Sequence, residues 1–365
     1  MEIRRLTLKN WRNYESETVE FSPRTNLIYG DNAQGKTNIL EAVHMAATGR
    51  SHRATSDSQL IRFGEEYAQI SVEFRDMHRD YKIVLRLLPG GKKSILINNV
   101  PINKLSVLVN YLNVVIFSPE ELELVKGAPK LRRRFMDTAI GSLSPRYLSE
   151  LVTYHKALTQ KNSLLKIARA KGRKNIETLD VWNAQLAESG VKIMKERQNF
   201  LSGILDDARA VHREIAGCEL DIKYLPGIDP EILTSDNPTE LFYKKLESAT
   251  VREIENGSSL YGIGRDDILF YVSSNEAKLY ASQGQQRTIV LCLKLALTEY
   301  IHKKRDEYPV LLFDDIMSEL DEKHRIYLRE KIKDKQVLLT CTDREDSEAV
   351  RFIKVNGGKI SYRQE

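Results

Sequence analysis

Eight consecutive residues have the types and spacing of a phosphate-binding loop. They read Gly-Asp-Asn-Ala-Gln-Gly-Lys-Thr over positions 30–37 and fit the pattern G-x-x-x-x-G-K-[ST], with an apolar run on either side. The glycines let main-chain N–H groups converge on an anion, Lys36 would reach the β- and γ-phosphates, and the Thr37 hydroxyl would bind Mg²⁺. We therefore predict an ATP or GTP site contacted by Gly30, Asn32, Ala33, Gln34, Gly35, Lys36, Thr37 and Asn38.

Two adjacent carboxylates follow a second apolar run. Val310–Phe313 has the character of a buried strand, and Asp314 and Asp315 come directly after it. A P-loop protein needs an acidic group beside Mg²⁺, usually at the end of a neighbouring strand. Asp314 is the predicted metal-side acid, and Asp315 is placed to polarise an attacking water.

The distance between the two motifs predicts a long insertion. Lys36 and Asp314 are 278 positions apart, whereas P-loop kinases and GTPases bring the two motifs closer. Shortly before the carboxylates, Ser282-Gln283-Gly284-Gln285-Gln286 opens an apolar helical segment. On its own this segment is also typical of a capped helix start. It resembles the signature motif of ABC ATPases, which implies that Ser282, Gly284 and Gln285 contact a nucleotide held by a second copy, with Ser282 catalytic.

Hydrophobic periodicity predicts an α/β protein with an inserted helical region. Alternating and continuous apolar runs predict a mixed or parallel core sheet and an antiparallel side sheet, with a hairpin at Pro89-Gly90-Gly91. From about Glu120 to Ala216 apolar residues recur every three or four positions, and residues 225–259 are polar, with the character of a return connection. We predict an ABC-type P-loop ATPase head of residues 1–120 and 255–365, and a helical arm of residues 121–254 inserted into it.

The composition of the chain limits which metals, membranes and other partners we expect. Hydrophobic residues make up 41% of the chain and charged residues 29%, no run approaches a membrane span, and the first residues lack a signal-peptide pattern. The three cysteines are far apart, which argues against a disulfide framework or a zinc site, so Mg²⁺ is the one metal we expect. Between Lys126 and Glu214 there are 18 Lys and Arg against 9 Asp and Glu, although the net charge of the whole chain is only +5. We expect a cytoplasmic protein without a membrane partner, with its basic charge gathered in the middle.

Taken together, the motifs resemble those of the RecF family of bacterial recombination mediators, which are related to SMC proteins. The resemblance runs from end to end of the chain and is carried by Trp11-Arg12-Asn13-Tyr14, 30–37, Phe117-Ser118-Pro119-Glu120, Arg132-Arg133-Arg134-Phe135, Arg265-Asp266-Asp267, 282–287 and Asp314-Asp315-x-x-Ser318-Glu319-Leu320-Asp321.

The resemblance implies a homodimer of heads that sandwiches ATP with Mg²⁺. Arg12 would lie near the phosphates, Asp321 would lie at the dimer interface, and Arg53 would flank the nucleotide. It also implies RecR and RecO as partners and loading of the RecA recombinase onto gapped DNA. Asp315 stands where many ABC proteins have glutamate, and Thr340-Cys341-Thr342 stands where they have a switch histidine. We therefore predict slow turnover, below the usual range of about 1 to 10³ per second.

The basic middle suits binding to the phosphates of duplex DNA. The candidate contacts are Arg132, Arg133, Arg134, Lys166, Arg169, Lys171, Arg173 and Lys174. Each could instead belong to a solvated or ion-paired helix face, and Arg133 could pair with Asp137. Two other functions stay open: the ATPase subunit of a transporter, and a DNA-tethering SMC-type structural protein.

Overall fold

A computed structural model of the chain describes residues 1–172, 176–342 and 351–362. Their strands are β1 (Glu2–Trp11), β2 (Tyr14–Glu20), β3 (Thr25–Tyr29), β4 (Ala68–Arg75), β5 (Asp80–Leu87), β6 (Lys93–Ile97), β7 (Val100–Ile102), β8 (Val114–Phe117), β9 (Leu220–Leu225), β10 (Asp267–Val272), β11 (Asn275–Glu276), β12 (Val310–Asp314), β13 (Val337–Cys341), β14 (Arg351–Asn356) and β15 (Lys359–Tyr362). Their α-helices are α1 (Lys36–Thr48), α2 (Leu105–Leu108), α3 (Glu123–Lys126), α4 (Pro129–Gly141), α5 (Pro145–Ala170), α6 (Leu179–Ala216), α7 (Pro230–Thr234), α8 (Pro238–Ser248), α9 (Thr250–Asn256), α10 (Ala277–Tyr280), α11 (Gln283–Arg305) and α12 (Glu322–Ile332).

The chain divides into two compact units. The first consists of Met1–Glu121, Glu214–Ala216 and Val290–Glu365, and the second of Leu122–Arg213 and Gly217–Ile289. The predicted boundaries of head and arm were drawn from a change in hydrophobic periodicity, and that division stays a prediction.

The first unit contains a mixed sheet with strand order β15-β14-β3-β13-β12-β8. All neighbouring strands are parallel except β14 and β15. The central strands are mostly apolar, as expected of strands covered on both faces, and the side chains of Val310–Phe313 are fully buried. Because β3, β12 and β13 run in the same direction, the residues that follow them meet at one edge of the sheet.

A second sheet of the same unit is antiparallel, with strand order β2-β1-β4-β5-β6-β7. Buried and exposed residues alternate along its strands, and the buried ones join a core with α1 and with residues of the mixed sheet. The hairpin between β5 and β6 was predicted from Pro89-Gly90-Gly91, and its register ends at the pair Leu87 and Lys93. The predicted α/β architecture, with a mixed core sheet and an antiparallel side sheet, is confirmed.

The second unit is mostly helical. Helices α3 to α6 occupy most of the segment whose periodicity predicted helices. Of the small antiparallel sheet with order β11-β10-β9, only β10 was predicted, although β9 alternates apolar and polar residues over Leu220–Tyr224. Residues 225–259, the predicted polar return connection, hold the helices α7, α8 and α9. In the described parts of the chain, no helix combines the length and apolar character needed to cross a membrane.

Candidate nucleotide-binding site

The predicted phosphate-binding loop connects β3 to α1. Gly35 is the N-cap of α1 and has a φ of 115°, and Gly30 at the start of the loop has a φ of 146°. Backbone angles of this kind favour glycine, which explains both positions. The Lys36 ammonium group donates to the carbonyl oxygens of Gly30 and Asp31, at 2.5 and 2.8 Å. Its charge therefore lies within the curve of the loop, beside the helix N-terminus.

The loop is held from two sides. Asn13, in the turn between β1 and β2, donates from Nδ2 to the Gln34 carbonyl at 2.8 Å. Tyr14, the first residue of β2, donates from its hydroxyl to the Gly35 carbonyl at 3.0 Å. In the turn between β14 and β15, the Gly357 N–H donates to Gln34 Oε1 at 2.6 Å. A Cβ on Gly30 would lie 2.2 Å from the main-chain oxygen of Val355. The contact with Val355 leaves no room for a larger residue at Gly30.

Thr37 and Asp314 lie side by side. The Thr37 hydroxyl donates to Asp314 Oδ1 at 2.7 Å across a separation of 277 residues. The Thr340 hydroxyl, on β13, donates to the same oxygen at 2.9 Å. Burial raises the pKa of the Asp314 carboxyl, and the hydrogen bonds from Thr37 and Thr340 oppose this rise. A hydroxyl and a carboxylate at a phosphate-binding loop are oxygen donors of the kind that Mg²⁺ prefers, so this pair fits the predicted metal site.

Asp315 follows β12 in a left-handed conformation, with a φ of 51°. Its N–H donates to the Thr340 hydroxyl at 2.9 Å, and Ser318 Oγ donates to its main-chain oxygen at 2.8 Å and to Oδ1 at 3.2 Å. The residue is exposed, whereas Asp314 is buried. The two acids thus differ in environment, one facing the loop and one facing solvent.

Arg12 is bound to a buried carboxylate. Its Nε and Nη2 donate to the two oxygens of Glu41 at 2.9 and 2.8 Å, and its Nη1 donates to the Gln59 carbonyl at 3.0 Å. Burial works against ionisation of Glu41, but the hydrogen bonds from Arg12 and Ser51 hold the pKa of its carboxyl below the usual value. Arg53 lies in the same unit, with Nε 3.4 Å from Glu120 Oε1.

The signature-like segment begins α11 in the second unit. Gln285 N–H donates to Ser282 Oγ at 3.3 Å, and Gln285 Oε1 accepts from Ser282 N–H at 2.8 Å. This reciprocal pair is a capping box. Ser282, Gly284 and Gln285 are all exposed, and a Cβ on Gly284 would approach only Ser282 Oγ, at 3.9 Å. The capped helix start is therefore open to solvent at the positions predicted to meet a second copy.

Asp321 is the N-cap of α12 in the first unit. Its Oδ1 accepts from the main-chain N–H of His324 at 2.9 Å. This hydrogen bond lowers the pKa of the Asp321 carboxyl, which keeps it ionised. The side chain is exposed.

Two of the arginines predicted to bind DNA have internal partners. Arg132 is 2% exposed, and its Nε and Nη2 donate to the carboxylate of Asp267 at 2.6 and 2.9 Å. Arg133 is half-buried and donates from Nη1 to the Asp266 carbonyl at 2.8 Å. Asp137, its suggested partner, instead accepts from Arg197. Burial removes Arg132 from the surface that a DNA phosphate could reach.

The remaining described candidates lie at the surface. Arg134, Lys166, Arg169 and Lys171 are exposed, and Arg169 donates from Nη1 to the Asn256 carbonyl at 3.3 Å. Arg173 and Lys174 lie outside the described residues.

Two contributors to the site have roles that sequence reasoning missed. Glu41 is a charged residue within the otherwise apolar stretch Ile39–Val43, and this anomaly was its available signal. Thr340 was noted only for standing near a missing switch histidine, and its hydroxyl bonds to both acids become visible only once β12 and β13 are paired.

Comparisons with known proteins identify the family of this chain. Residues 2–359 match the protein family described as the RecF/RecN/SMC N terminal domain. The DNA replication and repair protein RecF of Bacillus cereus (strain G9842) is 40% identical over 369 residues, which cover 99% of this chain and 98% of the relative.

Solved structures give the same result. One of them is the structure of RecF-ATP, where RecF is described as the recombination mediator protein in the RecFOR pathway. It superposes with a TM-score of 0.94 at 32% identity, over 100% of this chain and 98% of that one. An Smc head bound to the C-winged helix domain of ScpA superposes with a TM-score of 0.57 at 17% identity, over 99% and 96% of the two chains, which shows a shared fold. The chain belongs to the RecF family of DNA replication and repair proteins.

Proposed function

We propose that this chain is an ATP-dependent DNA-binding recombination mediator. The observation that carries the proposal is the hydrogen bond of 2.7 Å between Thr37 and Asp314, which joins the two nucleotide motifs at one sheet edge. A RecF relative of 32% identity was solved with ATP, and its similarity supports ATP as the nucleotide.

The residues of the loop have separate tasks in this proposal. Lys36 binds the β- and γ-phosphates, and Thr37 and Asp314 hold Mg²⁺. Bound Mg²⁺ would neutralise charge that develops on the phosphates. Asp315 accepts a proton from the attacking water at its carboxylate.

The signature segment acts in a second copy. Exposed Ser282 Oγ and the N–H groups at the start of α11 suit the γ-phosphate of a nucleotide held by the partner, because a helix N-terminus attracts anions. Asp321 would lie at the same interface. ATP therefore joins two copies, and the functional unit is a dimer of heads. Each head is composed of residues 1–120 and 255–365, and the arm of residues 121–254 is inserted into its sequence.

Hydrolysis is slow and serves as a release switch. Asp315 is one methylene shorter than glutamate, and Ser318 Oγ donates to its side chain at 3.2 Å. A short base that is already hydrogen-bonded reaches an attacking water poorly, so we expect turnover below about 1 per second.

DNA is bound by the exposed basic residues of the second unit, Arg134, Lys166, Arg169 and Lys171, together with the predicted contacts Arg173 and Lys174. The protein acts in the cytoplasm on duplex or gapped DNA, with RecR and RecO, and helps to load the RecA recombinase. Family membership favours this function over the two alternatives, a transporter ATPase subunit and a DNA-tethering structural protein.

The proposal is tested with Lys36→Met, which removes the charge that meets the phosphates. We expect the variant to lose ATP-dependent dimerisation and to bind duplex DNA at least about tenfold more weakly in the presence of ATP. Analytical ultracentrifugation and fluorescence anisotropy, each with and without ATP, measure the two effects.

The matched control is Lys92→Met, at an exposed lysine of the same unit. It should behave as the unchanged protein does. Unaltered DNA affinity and salt dependence in Lys36→Met would contradict the proposal.

A further inference from the structure

Glu41 is a fully buried acid placed one helical turn after Thr37. Its side chain is 0% exposed, on a face of α1 that also carries Thr37 and His44. Burying an ionised carboxylate is costly unless it is paired and hydrogen-bonded. Three hydrogen bonds compensate it, two from Arg12 and one of 2.5 Å from the Ser51 hydroxyl. So complete a set of partners fixes the positions of all three side chains.

Arg12 is held in a single orientation. Its backbone is left-handed, with a φ of 52°, and its N–H donates to the Leu60 carbonyl at 2.9 Å. Hydrogen bonds to Glu41 and Gln59 use three of the five N–H groups of a guanidinium. The side chain keeps 24% of its surface exposed. Two N–H groups are thus left for a further acceptor, in a direction that the Glu41 carboxylate determines.

Ser51 extends the same contacts to a second arginine. It is 5% exposed, and while its hydroxyl donates to Glu41 it accepts from the main-chain N–H groups of Arg53 and Ala54, at 3.0 and 2.8 Å. The backbone of Arg53 is therefore tied to the Glu41 carboxylate through one hydroxyl. Arg53 itself remains at the surface.

We propose that Glu41 is a positioning residue for recognition of the nucleotide phosphates. It directs the guanidinium of Arg12, and through Ser51 the backbone of Arg53, toward an anion at the phosphate-binding loop. The inference rests on the proposed function, because it assigns a means of orientation to the nucleotide site itself. A pair with a merely structural task would change stability without coupling to ATP affinity.

A double-mutant cycle tests the Arg12 branch. ATP affinity is measured by isothermal titration calorimetry in the presence of Mg²⁺ for the unchanged protein, Arg12→Ala, Glu41→Gln and the double variant, with folding checked by circular dichroism. We expect each single change to weaken ATP binding about five- to tenfold, and the double variant to be no weaker than Arg12→Ala. Arg5→Ala, at an exposed arginine of β1 paired with Glu20, should leave affinity unchanged.

Ser51→Ala tests the second branch in case Glu41→Gln fails to fold, because it leaves the Arg12 pair in place. We expect ATP affinity to fall about two- to fivefold, with no further fall when Ser51→Ala is added to Arg53→Ala. Unchanged ATP affinity in a folded Glu41→Gln or Ser51→Ala variant, or multiplying effects in either double variant, would overturn the inference alone. Absence of ATP binding by the unchanged protein would overturn the proposed function, and the inference with it.

Discussion

One hydroxyl group sets the geometry of the two acids that follow β12. Thr340 Oγ1 donates to Asp314 Oδ1 and accepts from the N–H of Asp315, both at 2.9 Å. The side chain of one acid and the backbone of the next are thereby fixed to β13. Because Thr340 is only 1% exposed, water is not placed to substitute for it.

We predict that Thr340→Val lowers ATP turnover at least about tenfold while changing KM for ATP little. Valine keeps the shape of threonine but leaves the Asp315 N–H without its acceptor, so the proposed base is no longer held. Asp314 loses the hydrogen bond from Thr340 but keeps the one from Thr37, which is why we expect KM to change little. Steady-state ATPase assays separate kcat from KM. Thr340→Ser should keep most of the activity, and a kcat as low as that of the valine variant would show that the hydroxyl is not what matters.

At this scale the sequence predicts local chemistry well and long-range pairing poorly. Asp314 could be predicted because an apolar strand precedes it and the nature of a P-loop requires an acid. Arg132 stands in a basic run that looks like a DNA surface, but its partner Asp267 is 135 residues away. Nothing in the local pattern distinguishes an exposed arginine from one that is buried against a carboxylate from a distant part of the chain.

Among the elements, the amide of Gln336 joins segments that are far apart in sequence. It lies just before β13, and its Nε2 donates to the carbonyls of Ile3 and Ser22 at 2.7 and 2.8 Å. Its Oε1 accepts from the N–H of Ile3 at 2.7 Å. The side chain is 3% exposed, so one residue satisfies three main-chain groups in the core of the first unit.

We predict that Gln336→Leu lowers the free energy of unfolding of the first unit by about 2–3 kcal/mol, because buried main-chain groups lose their partners. Hydrogen exchange at the Ile3 amide should accelerate most, and thermal unfolding should shift downward. Gln69→Leu is the control, because Gln69 lies on β4 and is only partly buried. Equal protection of the Ile3 amide in both variants would contradict the prediction.

Prolines explain why two helices of the second unit were not predicted. Pro230 and Pro238 lie in the segment taken for a polar connection, yet each is the first residue of a helix. Proline is well suited to that position, since its fixed φ matches the helix and its missing N–H would have no partner there. The same residue type marks a break or a beginning, and only the packing of Leu233, Phe242 and Leu246 into a core shows which.

For the whole molecule, the distribution of charge predicts how DNA affinity responds to salt. Lys166 and Lys171 are exposed on the second unit and lie in a stretch poor in acidic residues. If each neutralises one phosphate, each contributes about 0.9 to the slope of log affinity against log salt concentration.

We predict that the double variant Lys166→Ala, Lys171→Ala reduces that slope by about 1.8 and weakens duplex binding uniformly across sequences. Anisotropy titrations over a range of salt concentrations measure it. Lys244→Ala, at an exposed lysine already paired with Glu240, is the matched control and should leave the slope unchanged. An unchanged slope in the double variant would place the DNA elsewhere.

The contacts that hold the phosphate-binding loop in place have a consequence during protein synthesis. The main-chain oxygen that packs on Gly30 belongs to Val355, and the N–H that binds Gln34 Oε1 belongs to Gly357, 323 residues further along the chain. A ribosome adding about 5–20 residues per second needs roughly 15–65 seconds to cover that interval. For all of that time the nascent chain carries a complete loop sequence without the residues that shape it. We therefore expect the loop to reach its nucleotide-binding shape only after β14 and the turn that follows it have been synthesised.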